Sequence, residues 1–226
     1  MVLPTRPGKK KTANPEPRCP FIVLADASAS MRGPKGDALN AAMPLLLGEI
    51  RRDDLAAHRV ELAIVTFDDS VHVALDFTTV ADIEKVAPFT FGGNTALAGA
   101  LLKSLQLLQG RKEYYKGQGI DAPYRPWVVL ITDGAPSDRD LIPKARETLF
   151  QAVGHHRLTF YPVGVKSADF DFLKSICPAG QKVYELEDLK FAQFFRWLSR
   201  SLTDVSHKDP DEESPTAEPE GVKEVE

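Results

Sequence analysis

Two apolar runs in this chain end in an aspartate: PFIVLAD at residues 20–26 and PWVVLITD at residues 126–133. A continuous apolar run of strand length, closed by an acid, is how a strand buried on both faces reads. Between such runs the apolar period changes. Leu39, Met43, Leu46 and Ile50 recur at helical steps, with Pro44 among them predicting a kink or a shifted start. Leu97, Leu101, Leu105 and Leu108 form a second helical stripe, and Asp138 to Val153 reads as a third helix. RLTFYPVGV and KVYEL read as strands, with a short helix ADFDFLKSI between them. The closing helix carries Phe191, Phe194, Phe195, Leu198 and Leu202 on one face, leaving Trp197 off it. Strands alternating with helices require an α/β chain, with an open, doubly wound, mostly parallel sheet and helices on both faces. VELAIVTF and VHVALDF, parted only by DDS, predict a hairpin, so one antiparallel edge strand joins that sheet. VADIEKV predicts a short helix after it, and GRKEYYKGQGIDAPYRP reads as a long connection offering Tyr114, Tyr115 and Tyr124 as a surface.

The two ends lack this patterning. Residues 1–18 form a basic, proline-containing head and residues 207–226 an acidic, proline-punctuated tail. Both are expected to be disordered, because they hold too little apolar surface to offset ordering entropy. Residues 19–206 are left as one domain. The net charge of −4 argues against a nucleic-acid partner. No stretch has the length of a signal peptide's apolar core or of a membrane span, so the expectation is a cytoplasmic protein with no membrane partner. Cys19 and Cys177 belong to no CxxC or Cys/His cluster and are expected to be unpaired thiols.

In open α/β sheets ligands sit beyond the carboxyl ends of the strands. Three loops occupy such ends: Asp26-Ala27-Ser28-Ala29-Ser30, Gly92-Gly93-Asn94-Thr95 and Thr132-Asp133-Gly134. Asp26, Ser28 and Ser30 alternate, so in an extended loop they point the same way. Together with Thr95 and Asp133 they form a set of oxygen donors only. That chemistry suits a hard divalent cation, Mg2+ first, with Mn2+ or Ca2+ as alternatives. Two acids hold modest charge, so a further oxygen from a partner is needed for tight binding.

D-x-S-x-S after the first strand, a threonine in a glycine-rich loop and T-D-G after a later strand resemble the metal-ion-dependent adhesion site (MIDAS) of von Willebrand factor A (VWA) domains, a Rossmann-like fold. The resemblance covers about residues 20–206. GGNTALAGAL, YRPWVVLITDGAPSD and FFRWLSRSL are similar to the TerY-like branch of bacterial tellurium-resistance and stress-response proteins. The resemblance implies that Ser28 and Ser30 bind the cation through their hydroxyls, Thr95 directly or through water, and Asp26 and Asp133 through coordinated waters or directly. One position is left for an acidic residue of a partner. It also implies association with a serine/threonine kinase and a metal-dependent protein phosphatase. The family usually has glycine where this chain has Ala29, and a methyl there tolerates an extended loop but not positive φ.

The expected function is a non-enzymatic, cation-dependent protein-interaction module, since the acids serve as ligands and leave no free general base. One alternative is a scaffold that binds its partner away from the metal. The other is a Mg2+-dependent phosphohydrolase, which wants a second acid where this chain has Ser28. No phosphate-binding glycine motif follows the first strand.

Overall fold

In a computed structural model of the chain, residues 14–120, 124–154, 157–210, 212 and 218–225 are described. Seven strands form one sheet in the order β3-β2-β1-β4-β5-β6-β7. Strands β1 (Cys19–Asp26), β2 (Val60–Phe67), β4 (Trp127–Thr132), β5 (Thr159–Gly164) and β6 (Tyr184–Leu186) run parallel. β3 (Val71–Thr79) pairs antiparallel with β2 through the expected hairpin. The mostly parallel doubly wound sheet with an antiparallel edge is thus as the sequence dictates.

The central strands explain why both faces need cover. On β1, Phe21, Val23 and Ala25 enter one core, and Ile22 and Leu24 the other. β4 repeats the alternation with Trp127, Val129 and Ile131 against Val128 and Leu130. Helices α1 (Pro34–Ile50), α2 (Asp54–Arg59) and α6 (Phe191–Ser206) close the first face. Helices α3 (Leu97–Gly117), α4 (Ile142–Gly154) and α5 (Phe170–Ile176) close the second. α1 continues through Pro44, which lies on its exposed face and leaves the Asn40 carbonyl without its helical donor. Trp197 is buried, stacked on Phe194 and edge-on to Tyr161.

Four local expectations are corrected. VADIEKV forms only a single 3-10 turn at Val80–Asp82. The first part of the supposed long connection, residues 110–117, is helix, because α3 runs to Gly117. Tyr115 is consequently buried, with its hydroxyl on Glu61 at 2.5 Å, and Tyr124 is buried too, bonding Ser206 and Lys208 carbonyls. Only Tyr114 of the three is exposed.

The ends are also less solvated than their composition suggests. Residues 1–13 lie outside the described residues, but Arg18 is buried against Glu61 and Asn14 bonds the His58 carbonyl. In the acidic tail, Val222–Glu224 form β7, antiparallel to β6. Val222 packs on the core, and the tail's charges are matched by Lys182–Glu218, Lys182–Glu224, Lys223–Glu185 and Arg200–Glu220 pairs. A few residues suffice here because the β6 edge supplies ready backbone partners. Among the described residues no helix is long and apolar enough to cross a membrane.

Candidate metal centre

Parallel register places the ends of β1 and β4 side by side: Ala25 is opposite Ile131, so Asp26 neighbours Thr132. The Thr132 hydroxyl donates to Asp26 Oδ2 at 2.5 Å, and the Ser28 amide donates to Asp26 Oδ1 at 2.8 Å. These two bonds fix the carboxylate at the strand mouth. The chain then turns through a single 3-10 turn, Ala29–Met31, anchored by buried Met31. Ser28 Oγ and Ser30 Oγ lie 2.9 Å apart, and Ser30 Oγ donates to Asp133 Oδ1 at 2.6 Å. Asp26, Ser28, Ser30 and Asp133 are therefore one hydrogen-bonded group.

Thr95 reaches the same space from the glycine-rich loop. A Cβ on Gly134 would stand 3.1 Å from Thr95 Oγ1 and 3.9 Å from Asp26 Oδ2, so only glycine leaves that approach open. The loop itself is stitched to the first: Ala29 N–H donates to the Gly93 carbonyl (3.1 Å) and Gly92 N–H to the Ala27 carbonyl (2.8 Å). Asp69 of the hairpin accepts from the Asn94 amide and side chain at 3.0 and 2.6 Å. Gly93 has φ +69°, and a side chain there would run into Asp69. The Asp69 carboxylate of the hairpin turn thus holds a site loop in place, helped by the Asp68 carbonyl, which accepts from Ala96 N–H. Ser137 N–H donates to the Thr95 carbonyl (2.8 Å), and Asp138 accepts from the first-turn amides of Ala98 and Gly99 in α3. Ala29 is not among the residues with positive φ, so its methyl is accommodated.

All five expected ligands come together, and all their donors are hard oxygens. Asp26, Ser28, Thr95 and Asp133 are buried, while Ser30 opens to solvent. Among the described residues no group of three or more His, Cys, Asp and Glu is placed to hold a metal. The candidate differs in kind, with two carboxylates and three hydroxyls, the donor chemistry of a Mg2+-type ion. Burial pushes the Asp26 carboxyl above its ordinary 3.8, hydrogen bonds from Ser28 and Thr132 pull it back, and the Asp133 charge adds to the rise. A positive charge placed beside Asp26 would offset that penalty.

Two contributors escaped the sequence reading. Lys35, in the first turn of α1, donates from Nζ to Asp133 Oδ2 and stands 3.3 Å from Ser167 Oγ. A cation opposes the dipole at a helix N-terminus, and that misplacement was its sequence signal. Ser167, in the loop after β5, has φ 76°, a left-handed conformation that serine seldom adopts. The loop after β5 is therefore a fourth strand-end loop at the mouth.

The sequence matches the family model of the von Willebrand factor type A domain over residues 21–197. The chain belongs to this family. Such domains mediate protein–protein interactions. The VWA domain is 26% identical over 167 residues to the collagen alpha-5(VI) chain of Mus musculus, covering 72% of this chain and 6% of that protein. The chain thus spans a small part of its curated relative. Among solved structures it resembles the pilus adhesin SpaC of Lactobacillus rhamnosus GG, with TM-score 0.62, 12% identity, and coverage of 84% of this chain and 30% of the other. It also resembles proximal thread matrix protein 1 of the mussel byssus, with TM-score 0.57, 14% identity, and coverage of 83% and 48%. At these identities the likeness concerns the fold of the VWA domain alone.

Proposed function

We propose that this VWA domain is a non-enzymatic interaction module that holds Mg2+, or in its place Mn2+ or Ca2+, and docks an acidic residue of a protein partner. The reading is carried by one observation: Asp26, Ser28, Ser30 and Asp133 form a continuous hydrogen-bonded set, with the Thr95 hydroxyl facing it. Ser28 and Ser30 would ligate through their hydroxyls, Thr95 directly or through water, and the two aspartates directly or through bound water. A bound Mg2+ supplies an open coordination position for a carboxylate. Asp26 is oriented by Thr132 and the Ser28 amide, and Asp133 is engaged by Ser30 and Lys35, so neither is free as a general base. Ser28 at the second position after Asp26 also lacks the acid a phosphohydrolase needs as proton donor.

The similarity of GGNTALAGAL, YRPWVVLITDGAPSD and FFRWLSRSL to TerY-like proteins supports a cytoplasmic role in a bacterial tellurite-resistance, stress-response or defence module, with a serine/threonine kinase and a metal-dependent protein phosphatase as partners. The test is capture of those two proteins by the tagged chain in Mg2+, in EDTA, and with Ser28→Ala/Ser30→Ala. Recovery in Mg2+ alone supports the reading, and equal recovery in all three conditions overturns it.

A further inference from the structure

We infer that Lys35 is a built-in competitor for the divalent cation, holding Asp133 in the cation-free protein and yielding it when the cation binds. The inference rests on the metal reading above and concerns which groups hold Asp133. Both oxygens of that buried carboxylate are occupied, Oδ1 by the Ser30 hydroxyl and Oδ2 by the Lys35 ammonium. Lys35 comes from α1, 98 positions away in sequence, and its side chain is 21% exposed against 0% for Asp133.

Three physical arguments converge on competition. First, Lys35 sits in the first turn of a 17-residue helix just after Pro34, where the backbone dipole repels a cation. Its position is therefore unfavourable unless Asp133 offsets it. Secondly, a carboxylate buried to this degree needs a counter-charge, and Lys35 supplies one without any metal. Thirdly, a dication among Asp26, Asp133 and the hydroxyls would stand close to that ammonium in a site of low dielectric, where like charges repel strongly. Cation and ammonium cannot both hold Asp133 at full strength. Ser167, already within 3.3 Å, is the acceptor beside which the displaced ammonium rests at the mouth.

The experiment uses the full chain, its Lys35→Met variant and its Lys35→Arg variant. Each is melted in EDTA and in saturating MgCl2 at constant ionic strength, and each is titrated with MgCl2 by calorimetry. In EDTA, Lys35→Met melts below the parent, because Asp133 has lost its counter-charge. With MgCl2 it gains more than the parent, and its Kd falls by about tenfold. Lys35→Arg keeps the charge and behaves as the parent does. If MgCl2 raises the melting temperature of parent and Lys35→Met equally, Lys35 is only structural and the metal reading stands alone. Weaker Mg2+ binding by Lys35→Met also overturns the competition. If neither protein responds to MgCl2, the metal reading itself falls and takes the inference with it. Should Lys35→Met not fold, Lys35→Gln is measured in the same way, as it keeps a neutral donor for Asp133.

Discussion

Thr132 Oγ1 donates to Asp26 Oδ2 at 2.5 Å, joining the last residue of β4 to the last residue of β1 across 106 positions of sequence. Both residues are fully buried, so this bond has no water to replace it. Thr132→Val keeps the shape and removes the donor, leaving a buried carboxylate short of a partner. The expected cost is about 1–3 kcal/mol of stability by urea unfolding in EDTA, together with weaker Mg2+ binding, because Asp26 loses its orientation. A variant as stable as the parent would show that the bond is idle.

The raised carboxyl of Asp26 sets the direction of pH dependence. A group whose folded value is raised favours the fold below its unfolded value and loses that contribution as pH rises through the folded value. In EDTA, Asp26 is therefore expected to subtract stability as pH climbs above 3.8, and Asp26→Asn removes that dependence. Cation binding has the opposite sign, since protons compete for the same carboxylate. Mg2+ affinity is expected to fall on acidification, beginning at a higher pH than for an unperturbed aspartate. Calorimetric titrations over a descending pH series, for the parent and Asp26→Asn, check this, and affinity that rises on acidification contradicts it.

At the opposite ends of the strands, Glu61 is buried and accepts from Arg18, from Arg111 through two nitrogens, and from the Tyr115 hydroxyl. Arg111 also lies over the Tyr114 ring, 4.3 Å from its centroid. Arg111→Ala strips one partner from this carboxylate and is expected to cost about 1–3 kcal/mol. Because Glu61 lies near the amino end of β2, Mg2+ affinity should be unchanged. A large change in affinity would mean that the two ends of the sheet are coupled.

Both cysteines are buried, and burial pushes each thiol up to about 12. Neither forms appreciable thiolate near neutral pH, so neither is a good nucleophile. The native chain is expected to resist a thiol-reactive dye for hours at pH 7.5, and both thiols should react at once in denaturant. Fast labelling of either in the native state would contradict the packing described for Cys19 and Cys177.

Six of the seven strands, most helices and the five oxygen donors were legible in the sequence because their signals are local: apolar runs, helical periods, and polar residues just after a strand. Thr132 and Lys35 were not legible as contacts, since their partners are set by β1–β4 register and by where α1 begins. The extension of α3 to Gly117 was missed because RKEYYKG is polar, and its anchor, Tyr115 on Glu61, lies in a distant strand. β7 was hidden by its shortness. Val222 is the apolar residue of a three-residue strand, and the docking comes from the β6 backbone and from matched charges. Asp68 and Asp69 read as turn formers, and Asp68 is one, bonding Ser70, whereas Asp69 reaches across to Asn94.

The reciprocal bonds between Ala27–Ala29 and Gly92–Gly93 have a kinetic meaning. Neither loop can peel away from the mouth without tearing the other's amide bonds, and Asp69 ties the glycine-rich loop to the hairpin. Opening is therefore a concerted event of one small cooperative unit. The amides of Ala29, Gly92 and Asn94 should exchange with deuterium at one common rate, slowed together by whatever fills the space between them.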